Sequence, residues 1–372
     1  MTRIFFPSIV NPSFRGGGAW TVTRELVRLL EEGPLAADVE VIACQRRTGR
    51  SRRLRQARAI VASLVSPLPA KVQFTKDAGL RGLVREALAS RPFDLVLING
   101  SDLLWLLPDV PPTMQRALIA HNIESKLFEA KVAAAGGGLR PFRRLTNREG
   151  RRLHDFELDG LGRVRRVGFL SSANEAYTRT QAPGLRTMTL PPVFGGPPAP
   201  RPSARVASPG HLELGMVANF DWWPNVHGLN WFLREVFPGA PGHARLHLYG
   251  HGSESVAPSH PRIVSHGFVH DLSEVWSACD FMICPIRTGS GVCVKVAESL
   301  YNGAPVLATH KAARGLPITS GPAVALFDQP EEWIRFLHRD APAFAGETVP
   351  VAVSARFHAA AYAEPLATFL GP

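Results

Sequence analysis

The sequence predicts an α/β protein built as two domains, each a parallel sheet of buried strands covered by helices. Three observations lead there. The chain is 372 residues long, more than one ordinary core holds. Short, continuously apolar runs alternate with helical patterns in both halves, as strands joined by helical crossovers do. Between the halves, residues 191–210 (PPVFGGPPAPRPSARVASPG) hold seven prolines and three glycines without periodicity, which reads as a linker. The division that follows is 1–190, a linker at 191–210, a second domain at 211–350, and a terminal helix within 351–372.

In the first half, strands are expected at 3–9, 39–44, 71–75, 94–99, 116–121, 166–171 and 186–190. Helices fit at 18–32, 78–90, 140–160 and 173–180. Ser172 and Glu175 have the spacing of a capping box, so a helix is expected to start there. The pattern restarts after the linker, with strands at 212–218, 245–249, 262–266, 280–285, 304–309 and 323–327. Helices fit at 225–237, 271–278, 292–302, 330–339 and 351–369, and Asp271 with Glu274 forms a second expected capping box. Open parallel sheets bind ligands beyond the carboxyl ends of their strands. A cleft between two such domains is therefore the expected site.

Composition narrows the function classes. A hydrophobic share of 45% and a charged share of 20% exclude disorder, coiled coil and collagen as the main structure. No apolar run reaches the ~18–20 residues of a membrane-spanning helix. The opening MTRIFFPSIVNP reads as a first strand rather than a signal peptide. Cysteines 44, 279, 284 and 293 make no CxxC and no disulfide scaffold, so a reducing cytoplasm is expected. Without CxxC or HExxH spacing, no metal site is expected, and there is no GxSxG elbow. The net charge is +11, but only six of the 42 cations are lysine. That bias points to genomic base composition, so no nucleic-acid partner is expected. A basic surface still favours phosphates, nucleotides and anionic lipid.

Several motifs carry chemistry. Arg15-Gly16-Gly17-Gly18-Ala19-Trp20 follows the first strand and opens a helix, where backbone amides attract anions. It is neither a GxGxxG fingerprint nor a P-loop, and a plain strand-to-helix turn explains it equally. His121-Asn122-Ile123-Glu124 ends a strand, where α/β folds present catalytic side chains; capping of the next helix is the simpler alternative. Sharpest is the segment Thr288 to Glu298, TGSGVCVKVAE, a Gly-Ser-Gly loop running into a helix. Its amides and the helix dipole favour a phosphate. Lys295 and Glu298 are three apart and share a helix face, as a cation for a diphosphate and a carboxylate for a ribose would need. A surface ion pair is the alternative. Asp221-Trp222-Trp223-Pro224-Asn225 reads as a helix start with an aromatic staple. Seven arginines in 46–58, followed by the apolar stretch 59–68, read as a solvated helix or as a dock for anionic headgroups.

The pieces LGMVANFDWWPNVHGLNWFLREVFP, VSHGFVHDLSEVWSACDFMICPIRTGSGVCVKVAESLYNGAPVLATHKAARGL and ALIAHNIES together resemble family-4 glycosyltransferases of the GT-B fold. The resemblance is strong over 212–316 and looser over 1–190. It implies two Rossmann-like domains facing a cleft, the second holding a nucleotide-sugar and the first an acceptor. It implies that the last helix crosses back to the first domain. Glu298 resembles the ribose-binding glutamate, Gly289, Ser290 and Gly291 the loop reaching the donor sugar and diphosphate, and Lys295 the cation at the phosphates. Gly267-Phe268-Val269 resembles the base-reading segment, and His121 the histidine beside the transferring sugar. The implied donor contacts extend to Gly17 and Gly18 in the first loop, Asn219 and Asp221, Gly250, and Val292. Trp20, Asn122 and Glu124 are the implied acceptor contacts. Two features depart from the family. Ser290 stands where a second glutamate is frequent, eight before Glu298, and Asp221 and Trp222 stand near where an arginine and a lysine are frequent.

The reading is a cytoplasmic glycosyltransferase acting on a glycan, lipid-linked or small-molecule acceptor, with catalysis by His121, Lys295 and Glu298. The family implies retention without a metal or cofactor; inversion follows instead if His121 deprotonates the acceptor from the opposite face. A peripheral contact with anionic membrane is a further expectation. The competing readings are a nucleotide-sugar 2-epimerase of the same fold and a catalytically degenerate binding protein.

Overall fold

The computed structural model describes residues 2–12, 17–43, 50–76, 79–135, 142–198 and 210–371, with side chains of the helix Arg50–Val65 described from Leu54 onward. Two compact units emerge. One comprises Met1–Arg15, Ala19–Pro191 and Tyr362–Pro372; the other comprises Gly16–Gly18 and Pro192–Ala361.

The first unit is a six-stranded, all-parallel sheet in the order β2-β1-β3-β4-β5-β6. Its strands are β1 (Arg3–Ser8), β2 (Asp38–Ala43), β3 (Leu95–Asn99), β4 (Gln115–Ala120), β5 (Arg166–Phe169) and β6 (Arg186–Thr189). Ile4, Phe5, Phe6, Val96, Leu97, Ile98, Leu118 and Ile119 are wholly buried, as strands with both faces covered must be. The strand order reverses between β1 and β3, whose ends Ser8 and Asn99 lie in register. Such a reversal opens a crevice at the carboxyl ends. The helix Ala360–Leu370 packs on this unit, where Arg166 donates to the carbonyls of Leu370 (3.1 Å) and Gly371 (2.8 Å).

The second unit repeats the architecture with β7 (Leu212–Val217), β8 (Ala244–Tyr249), β9 (Ile263–Ser265), β10 (Phe281–Cys284), β11 (Val306–Ala308) and β12 (Val324–Leu326). The order β12-β11-β10-β7-β8-β9 is doubly wound, with its reversal between β7 and β10. The core on one face gathers Phe232, Phe237 and Phe281 around the wholly buried Trp333, whose indole N–H donates to the Phe327 carbonyl at 2.9 Å.

Several local expectations are corrected. Residues 71–75 are not a strand but lie in the helix Ala70–Lys76. Val72 and Thr75, three apart, are its buried face, a helical spacing that the short apolar run concealed. The cap of the helix Ser172–Gln181 is Ser171, whose hydroxyl accepts from the Asn174 amide; Glu175 instead accepts from the hydroxyls of Thr187 (2.7 Å) and Thr189. Asp271 accepts from the Ser273 amide two residues on, an Asx turn and not a capping box. A reciprocal box forms instead between Gln329 and Glu332. The helix expected at 225–237 runs Trp223–Trp231 and then widens through Phe232–Val236, which seats Phe232 against Trp333. The helix expected at 351–369 is broken. Val351–Ser354 and a tight turn Ala355–Phe357 precede Ala360–Leu370, because Phe194 pairs its backbone with Phe357 and Ala359 between them.

Candidate functional site

In the second unit, the predicted donor residues collect on both sides of the β7/β10 reversal. After β7, the Asn219 side-chain oxygen accepts from the Asp221 amide at 2.9 Å, which shapes the loop. The buried Asn225, in the helix Trp223–Trp231, donates to the Asn219 carbonyl at 2.7 Å. Its oxygen accepts from the Lys295 ammonium, also at 2.7 Å. Asn225 therefore ties the loop after β7 to the first turn of the helix Val294–Tyr301. One of the three ammonium protons of Lys295 is committed to it. Glu298 lies one turn further along that helix and is half-buried.

The loop between β10 and this helix carries Gly289, Ser290 and Gly291. Gly289 has φ +126°, which a side chain would strain. Ser290 is buried, and neither its hydroxyl nor that of Thr288 has a hydrogen-bond partner among the described residues. Both hydroxyls are thus available to a further partner beside the start of the helix Val294–Tyr301. Arg314 donates to the Ser290 carbonyl and so holds the loop from outside. Burial lowers the pKa of Arg314, and burial with the Arg314 charge lowers that of Lys311. These two cations lie on the chain segment after β11. Cys293, which precedes the helix, sits with its sulfur 3.0 Å from that of Cys284 at the end of β10. Burial opposes ionisation of Cys293, but the Cys284 contact, the Lys295 charge and the amides of Val296 and Lys295 hold its pKa down at about 6. Burial pushes Cys284 well up.

The remaining donor candidates divide. Asp221 is exposed and lies 3.4 Å from His251. Val269 and Val292 are partly buried against the core. Gly250, at φ +123°, is required by packing, since a Cβ there would stand 1.9 Å from the Ala218 carbonyl oxygen. Gly17 has φ +76° and Gly18 starts the helix Gly18–Glu32, while Arg15 and Gly16 of that loop lie outside the described residues.

In the first unit, His121 follows β4, and its Nε2 lies 2.6 Å from Asn99 Oδ1 at the end of β3. Burial drives the His121 pKa down to about 4, Glu124 opposing and Lys71 assisting, so the ring is neutral near pH 7. Behind it lies a buried charge cluster. Lys71 pairs with Glu124 and stands 3.8 Å from Asp102. Glu157 accepts from the amides of Glu124 (2.7 Å) and Ser125 (2.9 Å) and from the Ser101 hydroxyl (3.2 Å). Burial raises both Asp102 and Glu157.

This arrangement corrects the expected acceptor contacts. Glu124 is buried and ion-paired with Lys71, so it is a structural carboxylate, not an acceptor ligand. The Trp20 indole donates to the Pro12 carbonyl at 2.7 Å and its ring lies under Arg24, so its polar edge is spent within the fold. Asn122 lies on the wall of a narrow cavity with Ser101, His154, Glu157, Tyr177 and Gln181. Sequence reasoning missed Asn99 and Arg314, named Thr288 only as the start of the Gly-Ser-Gly segment, and noted Asn225 only as a helix start. Asn99 and Arg314 had no local signal.

Residues 211–339 match the family model described as Glycosyl transferases group 1. No curated protein matches the chain by sequence. Solved structures match it over its length. Sucrose-phosphate synthase from Thermosynechococcus elongatus is 17% identical, with 99% of this chain and 98% of that chain covered and a TM-score of 0.71. Anabaena HepE, solved with UDP-glucose, is 15% identical, with 100% and 99% covered and a TM-score of 0.62. TarM of S. aureus, solved with UDP and a glycosylated glycerol, is 8% identical, fully covered on both sides, with a TM-score of 0.63. The chain has the GT-B fold, and its residues 211–339 are similar to the group 1 glycosyltransferases.

Proposed function

We propose that this enzyme moves a sugar from a nucleotide-sugar to an acceptor hydroxyl, with retention and without a metal. The observation that carries the reading is the Asn219–Asn225–Lys295 chain across the β7/β10 reversal, beside the buried, unpaired hydroxyls of Thr288 and Ser290. Lys295, the Gly-Ser-Gly amides and the helix dipole hold the departing diphosphate, whose charge grows in the transition state. Glu298 takes the ribose. Ser290, with no carboxylate there, presents a hydroxyl to the donor sugar. His121 is neutral and contacts the transferring sugar as a hydrogen-bond acceptor, not as an acid. UDP-sugars are the first donors to test, because HepE was solved with UDP-glucose.

The test is product analysis with a UDP-sugar panel and an acceptor panel in excess EDTA, reading the anomeric configuration by NMR. The reading expects a glycoside of unchanged configuration. Sugar released or epimerised from donor alone favours the epimerase reading, and activity that requires added divalent metal removes the metal-free one. His121→Ala should lower turnover at least ~10²-fold while nucleoside diphosphate binds as before. Near-normal turnover in a folded variant would take His121 out of the site.

The acceptor side brings in the membrane. The helix Arg50–Val65 exposes Leu54, Val61 and Val65 at spacings of seven and four, one stripe of a helix, with Arg58 exposed between them. Arg46 and Arg47 lie outside the described residues, and the side chains of Arg50, Arg52 and Arg53 are likewise undescribed. No described helix is long and apolar enough to cross a membrane. The helix is assigned to peripheral contact with anionic lipid. Co-sedimentation with phosphatidylglycerol vesicles should weaken with salt and with Val61→Ser and Val65→Ser together. Equal recovery with neutral vesicles would contradict it.

A further inference from the structure

The hydrogen bonds behind His121 place its protons. Ser8 gives its hydroxyl proton to the Val10 carbonyl at 2.7 Å, and Thr23 gives its own to the Ala19 carbonyl at 2.8 Å. Each hydroxyl is left with lone pairs. The Asn99 amide nitrogen meets both, at 3.0 Å from Ser8 and 2.9 Å from Thr23, and donates one proton to each. A flipped amide would set its oxygen against two oxygens that have no proton to give. The orientation is therefore forced, and Asn99 Oδ1 faces His121 Nε2 at 2.6 Å. An amide oxygen only accepts, so Nε2 carries the hydrogen. In a neutral imidazole the other nitrogen is then bare. Among the described residues, nothing bonds to His121 Nδ1.

We propose that Asn99 is a positioning residue. It locks His121 as the Nε2–H tautomer and leaves the Nδ1 lone pair to accept a hydroxyl proton from the transferring sugar. This rests on the reading of His121 as the sugar contact. Ser8 and Asn99 are wholly buried at the β1/β3 reversal and Thr23 is wholly buried on the helix Gly18–Glu32, so the ring is held from the sheet and this helix. The charged groups that act on the ring are Glu124 and Lys71, with Asp102 and Glu157 behind them. The Lys71–Glu124 pair acts on the ring in opposite directions. The ring's proton placement is set chiefly by Asn99.

The experiment is nitrogen-15 NMR of histidine-labelled full chain, with turnover against pH, for wild type, Asn99→Ala and Asn99→Asp. Wild type should show one neutral His121 tautomer, protonated on Nε2, with slow exchange of that proton. Asn99→Ala should lose the slow exchange and at least ~10-fold in turnover, with donor KM little changed. Asn99→Asp keeps an acceptor at Nε2, but a carboxylate beside the ring raises its pKa. Its turnover should return toward wild type at alkaline pH, with the acid limb of the profile moved upward. A merely structural asparagine predicts no such pH-dependent rescue. A wild-type ring protonated on Nδ1, or an Asn99→Ala ring with wild-type exchange, overturns the role of Asn99. A changed ring with unchanged turnover overturns the assignment of His121 to the sugar. The wild-type spectrum decides the tautomer even if Asn99→Ala fails to fold.

Discussion

Lys71 shows how few charged residues hold the first unit's site in shape. It pairs with Glu124 and approaches Asp102, whose side chains are 7% and 5% exposed, while its own is 39% exposed. Burial lowers the affinity of its amine for a proton, but the two carboxylates and Glu157 overcome that and raise its pKa. Removing Lys71 leaves carboxylates buried without a cation. Lys71→Met should cost about 3 kcal/mol, the low end for a broken buried pair, because the lysine is partly solvated. Urea denaturation at pH 7 measures it. The raised carboxyl pKa of Asp102 gives the sign of the pH effect. A group whose folded pKa is raised favours folding when protonated, so Lys71→Met should recover part of its loss as pH falls through the raised pKa of Asp102 toward the ordinary carboxylate value. A loss below ~1 kcal/mol would mean that the cluster is solvated and not a rigid backing for His121.

At the scale of elements, the helix Val294–Tyr301 matters most, because its first turn brings Cys293, Lys295 and the Gly-Ser-Gly loop together. The Cys293 thiol, held at about 6, senses the Lys295 charge. Lys295→Met should raise that pKa, so that alkylation of Cys293 by a small reagent slows at pH 7. Mass spectrometry of the modified peptide against pH reads the shift; an unmoved profile would separate the two side chains. This helix and loop were legible in the sequence, because glycines, a strand before and an apolar face after all fall within a dozen residues. The helix Ala70–Lys76 was not, because a seven-residue helix shows barely two turns of period and KVQFT suits either state. Partners such as Asn225 for Lys295, 70 residues apart, and Arg314 for Ser290, 24 apart, were illegible because only folding brings them together. Glu124 misled for the same reason: nothing local announces Lys71, 53 residues before it.

For the whole molecule, both sheets and their strand orders place the strand reversal beside the residues singled out: Ser8, Asn99 and His121 in one unit, Asn219, Asn225 and Lys295 in the other. The proposed function requires the second unit to bind a nucleoside diphosphate at the β7/β10 reversal. Calorimetric titration of the wild-type chain and of Lys295→Ala and Glu298→Ala with UDP, GDP and ADP tests it most directly. One diphosphate should bind wild type at a single site. Each variant should bind it at least ~10-fold more weakly, a loss of about 1.4 kcal/mol, with an unchanged melting temperature. Wild-type affinity in both folded variants, or no binding of any diphosphate to the wild-type chain, would contradict the account.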